Sequence, residues 1–366
     1  MKKPTIHFVY TVPLGTNIFR RGVDKILKIF HITPLHRSGR DFFIPWKHPI
    51  RAPHSISYNL LRAFKETAKG KYKVKFYGMY EKGAVNLGPN DIFIGTPAPE
   101  GGLSYSGRPD KDDYSSVTSA TLRKYKGSAH QKILITPFAD DKLLVSWMKD
   151  LAENYATKII LSATGEIWTR NWERTPFGSI PKEKVLRINM GIDMNDYPFV
   201  KRSFNPKGKR KYFYIGHNAW YKNTVELERI AEAIPNFDGV HIGGADVKGW
   251  KKLSNFANLT PDFMAKLAEE YDIFVNTSTA DAQATTILEN MCFGFVVACT
   301  PQSGYEYPSL FSLSTNDTKS NVATLEKIQN MDEEELLDLA KKNKEIARTG
   351  HSWPIITRDV LDFIGI

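Results

Sequence analysis

The sequence has little cysteine and no long hydrophobic run. Its 366 residues include only two cysteines, Cys292 and Cys299, which are too few for a disulfide framework and whose spacing suits no metal site. No run of about 18 apolar residues occurs, so no transmembrane helix is predicted. The apolar stretch within residues 1–15 is short and interrupted by prolines, and we interpret it as a first strand instead of a signal peptide. We therefore expect a cytoplasmic protein.

The sequence motifs of common metal-binding and nucleotide-binding sites are also missing. The sequence contains no His-x-x-x-His, His-x-x-Glu-His or Cys-x-x-Cys spacing, and no Asp-x-Asp stands at the end of a predicted strand. The phosphate-binding motif GxxxxGK(S/T) and the dinucleotide-binding motif GxGxxG are absent as well. We therefore expect no metal site and no cofactor.

Acidic residues are fewer than basic ones. The chain has 50 Lys and Arg against 40 Asp and Glu, a formal net charge of +10 and a pI of about 9.3. The excess is concentrated in residues 1–51, which hold ten basic and two acidic residues. A basic protein favours anionic partners such as phosphates, acidic glycans, membrane surfaces or nucleic acid. Because no basic patch is interleaved with aromatic residues, we do not expect nucleic acid to be the partner.

Residues 16–32 combine positive charge with an apolar periodicity. The apolar residues that recur there at helical spacing are Phe19, Val23, Ile26, Leu27 and Phe30. A basic amphipathic segment is typical of a helix on a membrane surface, and also of a surface helix packed on its own domain. Both interpretations stay open, and the first would make the basic residues within 16–51 a membrane contact.

Short apolar runs alternate with helical patterns along the chain. This alternation predicts an α/β fold built from βαβ units with parallel sheets. The polar, basic segment 201–211 interrupts the alternation, which then restarts. The predicted strands fall at 6–10, 72–78, 91–97, 132–138, 157–164 and 184–190, and again at 212–216, 239–244, 272–278 and 295–300.

The interruption at 201–211 and the length of the chain predict two domains. The expected parts are an N-terminal domain at 1–200 with a basic insertion at about 13–52, a linker at 201–211, a second domain at 212–350 and a final helix at 351–366. In such folds the ligand-binding loops follow the C-terminal ends of the strands.

The sequence YIGHNAWYKN at 214–223 places a glycine and a lysine after a predicted strand. Gly216 would let the backbone approach a ligand closely. Lys222, near the start of the next helix, could meet a phosphate there. An ordinary strand and turn with a surface lysine is the alternative.

The sequence DAQATTILE at 281–289 follows a predicted strand and opens a helix. The backbone N–H groups of residues 284–286 would be free at the helix start and could bind a phosphate oxygen. Glu289 lies one turn into the helix among apolar residues, where a carboxylate needs a partner such as a sugar or ribose hydroxyl. Asp281 could accept the hydroxyls of a hexose. A capping aspartate with a surface glutamate is the alternative.

Together these segments resemble the GT-B glycosyltransferases, most closely the large retaining family 4. Gly216, His217, Lys222 and Asn223 fall on the family's Gly-Arg…Lys-Gly loop, and Asp281 and Glu289 on its Glu-x7-Glu pair. Segment 189–199 is similar to the family's Asn-Gly-Val-Asp-x-x-x-Phe motif, and 351–361 to its Phe-Ser-Trp motif. The resemblance covers roughly residues 185–366, and the N-terminal domain only in outline.

The resemblance implies a GT-B fold, in which two Rossmann-like domains face a central cleft and the C-terminal helix crosses back to the first domain. It implies catalytic roles for Asp281, Lys222 and His217. The implied donor-binding residues are Gly216, His217, Lys222, Ala284, Thr285, Thr286 and Glu289. Two positions depart from the family: His217 replaces an arginine, and Asp281 replaces a glutamate. A neutral imidazole is a weaker diphosphate ligand than a guanidinium.

Acceptor-binding residues are expected in the first domain. His54 would stand at a helix start facing the cleft, and Asp140 and Asp141 follow the strand at 132–138. One of these aspartates could contact the acceptor or the donor sugar. The N-cap of the helix that begins at residue 142 is the alternative for them.

The resulting prediction is a retaining, metal-independent glycosyltransferase. It would move a sugar from a nucleotide diphosphate-sugar to a glycan or lipid-linked acceptor in bacterial cell-surface polysaccharide or glycoconjugate synthesis. We expect it in the cytoplasm, with peripheral attachment to the inner face of the membrane through the basic segment. Two alternatives stay open: a GT-B glycosyltransferase acting on modified nucleic acid, and a degenerate, non-catalytic sugar-binding protein.

Overall fold

The structure, a computed structural model, describes residues 3–10, 70–79, 81–98, 100, 112–136, 146–255 and 260–366. The chain divides into two compact units. Unit 1 comprises Met1–Ser162, Trp172–Ile188 and Thr357–Ile366, and unit 2 comprises Ala163–Asn171 and Asn189–Ile356. Each unit holds a parallel sheet with helices, so the predicted α/β class is confirmed.

Unit 1 is built on a six-stranded sheet in the order β2-β1-β3-β4-β5-β6, with every pair parallel. Its strands are β1 Thr5–Tyr10, β2 Lys73–Gly78, β3 Ile92–Gly95, β4 Gln131–Thr136, β5 Lys158–Ser162 and β6 Val185–Ile188. The helices introduced along this stretch are α1 Val117–Lys124, α2 Ser146–Asn154 and α3 Glu166–Arg174. The inner strands β3, β4 and β5 are buried along most of their length, as expected for a parallel sheet that is covered on both faces.

Unit 2 repeats this design with the order β12-β11-β10-β7-β8-β9. Its strands are β7 Tyr212–Ile215, β8 Gly239–Ile242, β9 Lys251–Ser254, β10 Ile273–Asn276, β11 Val296–Cys299 and β12 Phe311–Ser312. Its helices are α4 Thr224–Ala233, α5 Pro261–Glu270, α6 Thr285–Phe293, α7 Thr318–Asn330 and α8 Glu333–Gly350. The four inner strands are fully buried, whereas the edge strand β9 is mostly exposed.

The last helix, α9, spans Trp353–Ile364. It begins in unit 2 and ends in unit 1, since the division between the units falls after Ile356. The predicted return of the C-terminal helix to the first domain is therefore confirmed. Among the helices of the described ranges, none is long and apolar enough to cross a membrane.

Segment 201–211 lies in unit 2 and is held there by two buried cations. The Lys201 ammonium is paired with Asp272 at 2.8 Å and also donates to the carbonyls of Ala268 and Tyr271. The Arg210 guanidinium donates to the carbonyls of residues 328 and 331 near the end of α7. Buried charges persist only when paired in this way, so the positive charges of this segment anchor it to the unit.

The order of strands in unit 2 reverses between β7 and β10. From β7 the chain adds β8 and β9 toward one edge, and from β10 it adds β11 and β12 toward the other. In open α/β sheets the ligand crevice forms outside the carboxyl ends of the strands at such a reversal. A ligand site is therefore expected at the loops after β7 and β10.

Candidate functional site

The loop after β7 begins at Gly216, where a side chain would meet a neighbouring tyrosine. A Cβ on Gly216 would lie 2.0 Å from the Tyr214 hydroxyl oxygen. The neighbouring Gly243 has φ +130°, and a Cβ there would lie 1.8 Å from the Gly216 carbonyl oxygen. The absence of side chains thus lets the backbone after β7 and β8 pack closely at the sheet's carboxyl end.

His217 follows on the exposed side of this loop. Its Nε2 lies 2.9 Å from the Tyr221 hydroxyl oxygen. Burial and the positive charge of Lys222 lower the pKa of His217 below its ordinary 6.5, against an opposing effect of Asp281. The imidazole is therefore neutral at pH 7, where it can donate one hydrogen bond and carries no charge.

A short turn at Trp220–Lys222 ends at Asn223, which has the left-handed conformation at φ 52° and ψ 47°. Asparagine tolerates this region better than most residues. Its side-chain amide donates to the carbonyls of Thr277 at 3.0 Å and Thr315 at 2.9 Å, and the Thr277 hydroxyl donates to the Asn223 carbonyl. These bonds tie the loop after β7 to the loop after β10 and fix the backbone at Lys222.

The loop after β10 is fixed from several sides. The backbone N–H groups of Asp281 and Ala284 donate to the carbonyls of Gln302 and Ser303, both at 3.2 Å. Gln283, with φ 54° and a buried side chain, accepts from the Met190 N–H and donates to Asn189. The position of Asp281 is thus set by the loop's own backbone contacts.

Lys222 and Asp281 meet across the two loops. The Lys222 ammonium donates to Asp281 Oδ2, and the two side chains are only 8% and 18% exposed. The sequence predicted both as donor-binding and catalytic groups but did not predict that they contact each other. The expected alternative of a surface lysine does not apply, because Lys222 is buried.

Helix α6 begins at Thr285, with Ala284 as an N-cap that has no capping side chain. The Ala284 N–H is engaged by the Ser303 carbonyl, so the expectation of a free N–H at residue 284 is not met. Thr285 and Thr286 occupy the first helical positions, whose N–H groups have no acceptor within the helix. Asp281 is not the cap of α6, so the alternative interpretation of this residue as a helix cap is wrong.

Glu289 is buried in α6, with 4% exposure, and is not a surface residue. Its Oε1 accepts a hydrogen bond from the Tyr197 hydroxyl at 3.1 Å. Tyr197 in turn packs edge-on against Phe293, with ring centroids 5.4 Å apart. Sequence reasoning missed Tyr197, although a signal existed: position 197 carries a hydroxyl where the Asn-Gly-Val-Asp-x-x-x-Phe motif has phenylalanine.

Two motif segments, 189–199 and 351–361, contact each other in unit 2 through residues 190–192 and 351–353. His351 is fully buried, its Nδ1–H donates to the Met190 carbonyl at 2.8 Å, and its Nε2 accepts from the Tyr307 hydroxyl at 2.7 Å. Burial lowers the pKa of His351 to about 4, so the ring is neutral at pH 7. A Cβ on Gly191 would lie 2.4 Å from the Trp353 ring, which explains the glycine.

Several buried polar atoms of unit 2 lack a hydrogen-bond partner in the part of the chain that the structure describes. Buried polar groups are almost always paired, so unpaired ones mark positions where a ligand or water could complete the bonding. They lie in β7, β10 and α6 or in the loops after β10 and β11, and are Tyr214 Oη, Asn276 Nδ2, Ser278 Oγ, Thr286 Oγ1, Asn290 Oδ1, Gln302 Oε1 and Tyr305 Oη.

The predicted acceptor residues His54, Asp140 and Asp141 lie outside the described residues, as does the basic segment 16–51. Their roles stay predictions. Within the ranges that the structure describes, no group of three or more His, Cys, Asp or Glu side chains could hold a metal ion.

Comparison with known proteins identifies the fold. No protein-family model matches the sequence, and no curated protein matches it either. A glycosyltransferase from Rickettsia africae ESF-5 matches with a TM-score of 0.57 at 13% identity, covering 99% of this chain and 98% of that one. The lipopolysaccharide outer core galactosyltransferase WaaB, in its apo form, matches with a TM-score of 0.54 at 10% identity, covering 98% and 99%.

TarM matches with a TM-score of 0.51 at 11% identity over 75% of this chain, which spans 55% of the length of TarM. The chain therefore has the GT-B glycosyltransferase fold, as the sequence motifs predicted. Its likeness to family 4 in particular rests on those motifs alone.

Proposed function

We propose that the protein is a glycosyltransferase that moves a sugar from a nucleoside diphosphate-sugar to a glycan or lipid-linked acceptor. One observation carries this proposal. At the strand reversal of unit 2, the loops after β7 and β10 bring Lys222, Asp281 and the start of α6 to one place. A cation, a carboxylate and a helix N-terminus at that position suit a phosphorylated sugar.

The donor would lie along α6. The Glu289 carboxylate, which accepts from the Tyr197 hydroxyl, would also accept the ribose hydroxyls, since each carboxylate oxygen can accept more than one hydrogen bond. The diphosphate would lie against the N–H groups of Thr285 and Thr286 and the Lys222 ammonium. The unpaired Thr286 hydroxyl would add a further donor.

The chemistry we propose is stabilisation of the departing diphosphate. Negative charge develops on the leaving oxygen, and Lys222 together with the positive end of α6 would stabilise it more in the transition state than in the ground state. These groups supply the charge that a metal ion supplies elsewhere, so we propose that the reaction needs no metal. Retention of the anomeric configuration is proposed from the resemblance to family 4.

The acceptor we propose is a cell-surface glycan or glycolipid. WaaB, which shares the fold, is by name a lipopolysaccharide outer core galactosyltransferase. The net charge of +10 and the basic residues within 16–51 would favour contact with an anionic membrane surface at its cytoplasmic face. His54, Asp140 and Asp141 are the proposed acceptor contacts.

The test begins with a thermal-shift screen against UDP-, GDP-, dTDP- and CMP-sugars, because a bound ligand raises the melting temperature by mass action. Turnover of the donor that binds is then measured for Lys222→Met and Glu289→Gln. The matched controls are Lys248→Met and Glu232→Gln, an exposed ion pair of the same unit. We expect both site variants to lose turnover and both controls to keep it. Full turnover in both site variants would refute the proposal.

A non-catalytic nucleotide-sugar-binding protein is the second candidate. It is favoured by the neutral His217 and by the pairing of Lys222 with a carboxylate, both of which reduce the positive charge offered to a diphosphate. Tight binding of a nucleotide-sugar, with neither hydrolysis nor transfer to any glycan acceptor, would favour this candidate over the enzyme.

A further inference from the structure

The ion pair between Lys222 and Asp281 joins two residues that are both predicted to contact the donor. In the structure the Lys222 ammonium donates to a carboxylate oxygen of Asp281. A diphosphate oxygen would need the same ammonium. Carboxylate and phosphate therefore compete for one cation, because a lysine offers a single compact charge.

The two partners differ in how firmly they are held. Asp281 stands in a loop whose backbone N–H groups are bonded to the carbonyls of Gln302 and Ser303. Its side chain has a single methylene, so the carboxylate has little freedom. Lys222 carries its charge on a flexible four-carbon stem. When the pair separates, the ammonium is the part that moves.

The site around the ion pair carries little net positive charge. His217 beside it is neutral at pH 7 because its pKa is lowered. The formal charges of Lys222 and Asp281 cancel, and Glu289 adds a negative charge further along α6. A diphosphate that approaches this site therefore meets little net positive charge until the ammonium leaves Asp281.

We propose that Asp281 is the resident counter-ion of Lys222, a positioning residue that holds the ammonium and weakens binding of the diphosphate. This inference rests on the proposed donor site and adds a function to it. After transfer, Asp281 can take back the ammonium and so help the nucleoside diphosphate product to leave. Product release limits the turnover of many enzymes. The counter-ion would therefore speed turnover while it weakens binding of the diphosphate.

The experiment measures binding of the nucleoside diphosphate and of inorganic diphosphate to four proteins by calorimetry: the wild type, Asp281→Asn, Lys222→Met and the double variant. We expect Asp281→Asn to bind the nucleoside diphosphate at least about tenfold more tightly, in line with the strength of close charge pairs. Lys222→Met should bind more weakly, and the double variant should be no tighter than Lys222→Met. Asp246→Asn, which breaks the exposed pair with Lys252, is the control and should change nothing.

The double variant shows whether Asp281 weakens diphosphate binding through Lys222 or through its own negative charge alone. If Asp281 acts through Lys222, its removal strengthens binding only while Lys222 is present. An equal gain in the Lys222→Met background, or unchanged or weaker binding by Asp281→Asn, would overturn the inference while leaving the donor site in place. Failure of the wild type and all variants to bind any nucleoside diphosphate would overturn the donor site as well.

A second measurement tests the pair without any ligand. Denaturant unfolding of the same four proteins gives the coupling between residues 222 and 281 as a double-mutant cycle. We expect the unfolding constants to depart from additivity by about fivefold or more. A matched cycle of Lys252→Met, Asp246→Asn and their double variant, which removes an exposed pair, should depart by less than about twofold. Additivity at 222 and 281 would show that the ion pair does not exist in solution.

Discussion

The Tyr197 hydroxyl donates to Glu289 Oε1 at 3.1 Å, although the two residues are 92 positions apart. Tyr197 lies near the end of segment 189–199, and Glu289 lies one turn inside α6. The bond fixes one oxygen of the carboxylate that we propose for the ribose. A buried carboxylate held by a hydroxyl keeps a single orientation, which is what selective recognition of a diol needs.

Tyr197→Phe should reduce selectivity for ribose. Without the hydroxyl the Glu289 carboxylate loses one of the bonds that orient it, so its hydrogen bonds to the ribose weaken. We expect the ratio of affinities for the preferred nucleoside diphosphate and its 2′-deoxy form to fall by about fivefold or more, since hydrogen bonds to charged groups contribute about 1.5–3 kcal/mol. Calorimetric titration of both ligands measures the ratio.

Tyr212→Phe is the matched control for this prediction. Tyr212 is also buried in unit 2, and its hydroxyl accepts from the Gln329 amide at 2.8 Å, away from the proposed donor site. Tyr212→Phe should lose about 1 kcal/mol of stability, as expected for a neutral hydrogen bond, and Tyr197→Phe about 1.5–3 kcal/mol, because its partner is a carboxylate. A deoxyribose ratio that changes equally in both would mean that Tyr197 has only a structural role.

The sequence predicted the fold and α6 well because both follow from local patterns. Apolar runs at strand length mark the buried parallel strands. Helix α6 is observed at Thr285–Phe293, beginning within the segment 281–289 that is predicted to open a helix, and is followed by Gly294 at φ +93°. A left-handed glycine after the last turn is a common local signal for the end of a helix.

The contacts of the site could not be predicted, because they join residues that are distant in sequence. Lys222 and Asp281 are 59 positions apart, and no local periodicity reports that their side chains meet. Segment 201–211 illustrates the same limit. Its basic residues are typical of a solvated linker, yet Lys201 and Arg210 are buried because their partners come from residues 268–272 and 328–331.

His217 should make diphosphate binding depend on pH. Its pKa is lowered from 6.5, so the imidazole gains a proton, and with it a positive charge, only below pH 6.5. Affinity for the nucleoside diphosphate should therefore rise as the pH falls below 6.5, beyond any rise seen in His217→Gln. His217→Arg should bind about tenfold more tightly at pH 7, since a guanidinium is always charged and can bind in a bidentate way. Identical pH profiles for the wild type and His217→Gln would contradict this role.

His351 should make the folded protein less stable as the pH falls. Its pKa is about 4 in the folded protein and about 6.5 when unfolded, so between these values the unfolded state binds the extra proton. Stability should thus be complete above pH 6.5 and fall by about 3 kcal/mol as the pH drops toward 4. Denaturation midpoints across this range measure the slope. His351→Gln, which cannot be protonated there, should show a shallower slope than the wild type, and an equal slope would assign the effect to other groups.

Asn223→Ala should disturb Lys222 through the backbone. Asn223 has φ 52° and bonds two carbonyls of the neighbouring loops, so alanine loses both hydrogen bonds and strains the left-handed turn. We expect a loss of about 2–4 kcal/mol in stability together with weaker nucleoside diphosphate binding. Asn223→Gly keeps the turn relaxed and should show only the loss of the hydrogen bonds.

Asn236 provides the control, because it also has a positive φ, 55°, at an exposed position of the same unit. Asn236→Ala should cost about 1–2 kcal/mol from backbone strain and leave nucleotide binding unchanged. Chemical denaturation and calorimetry of all three variants measure both effects. If Asn223→Ala and Asn236→Ala lower stability equally and neither alters binding, the bonds from Asn223 do not position Lys222.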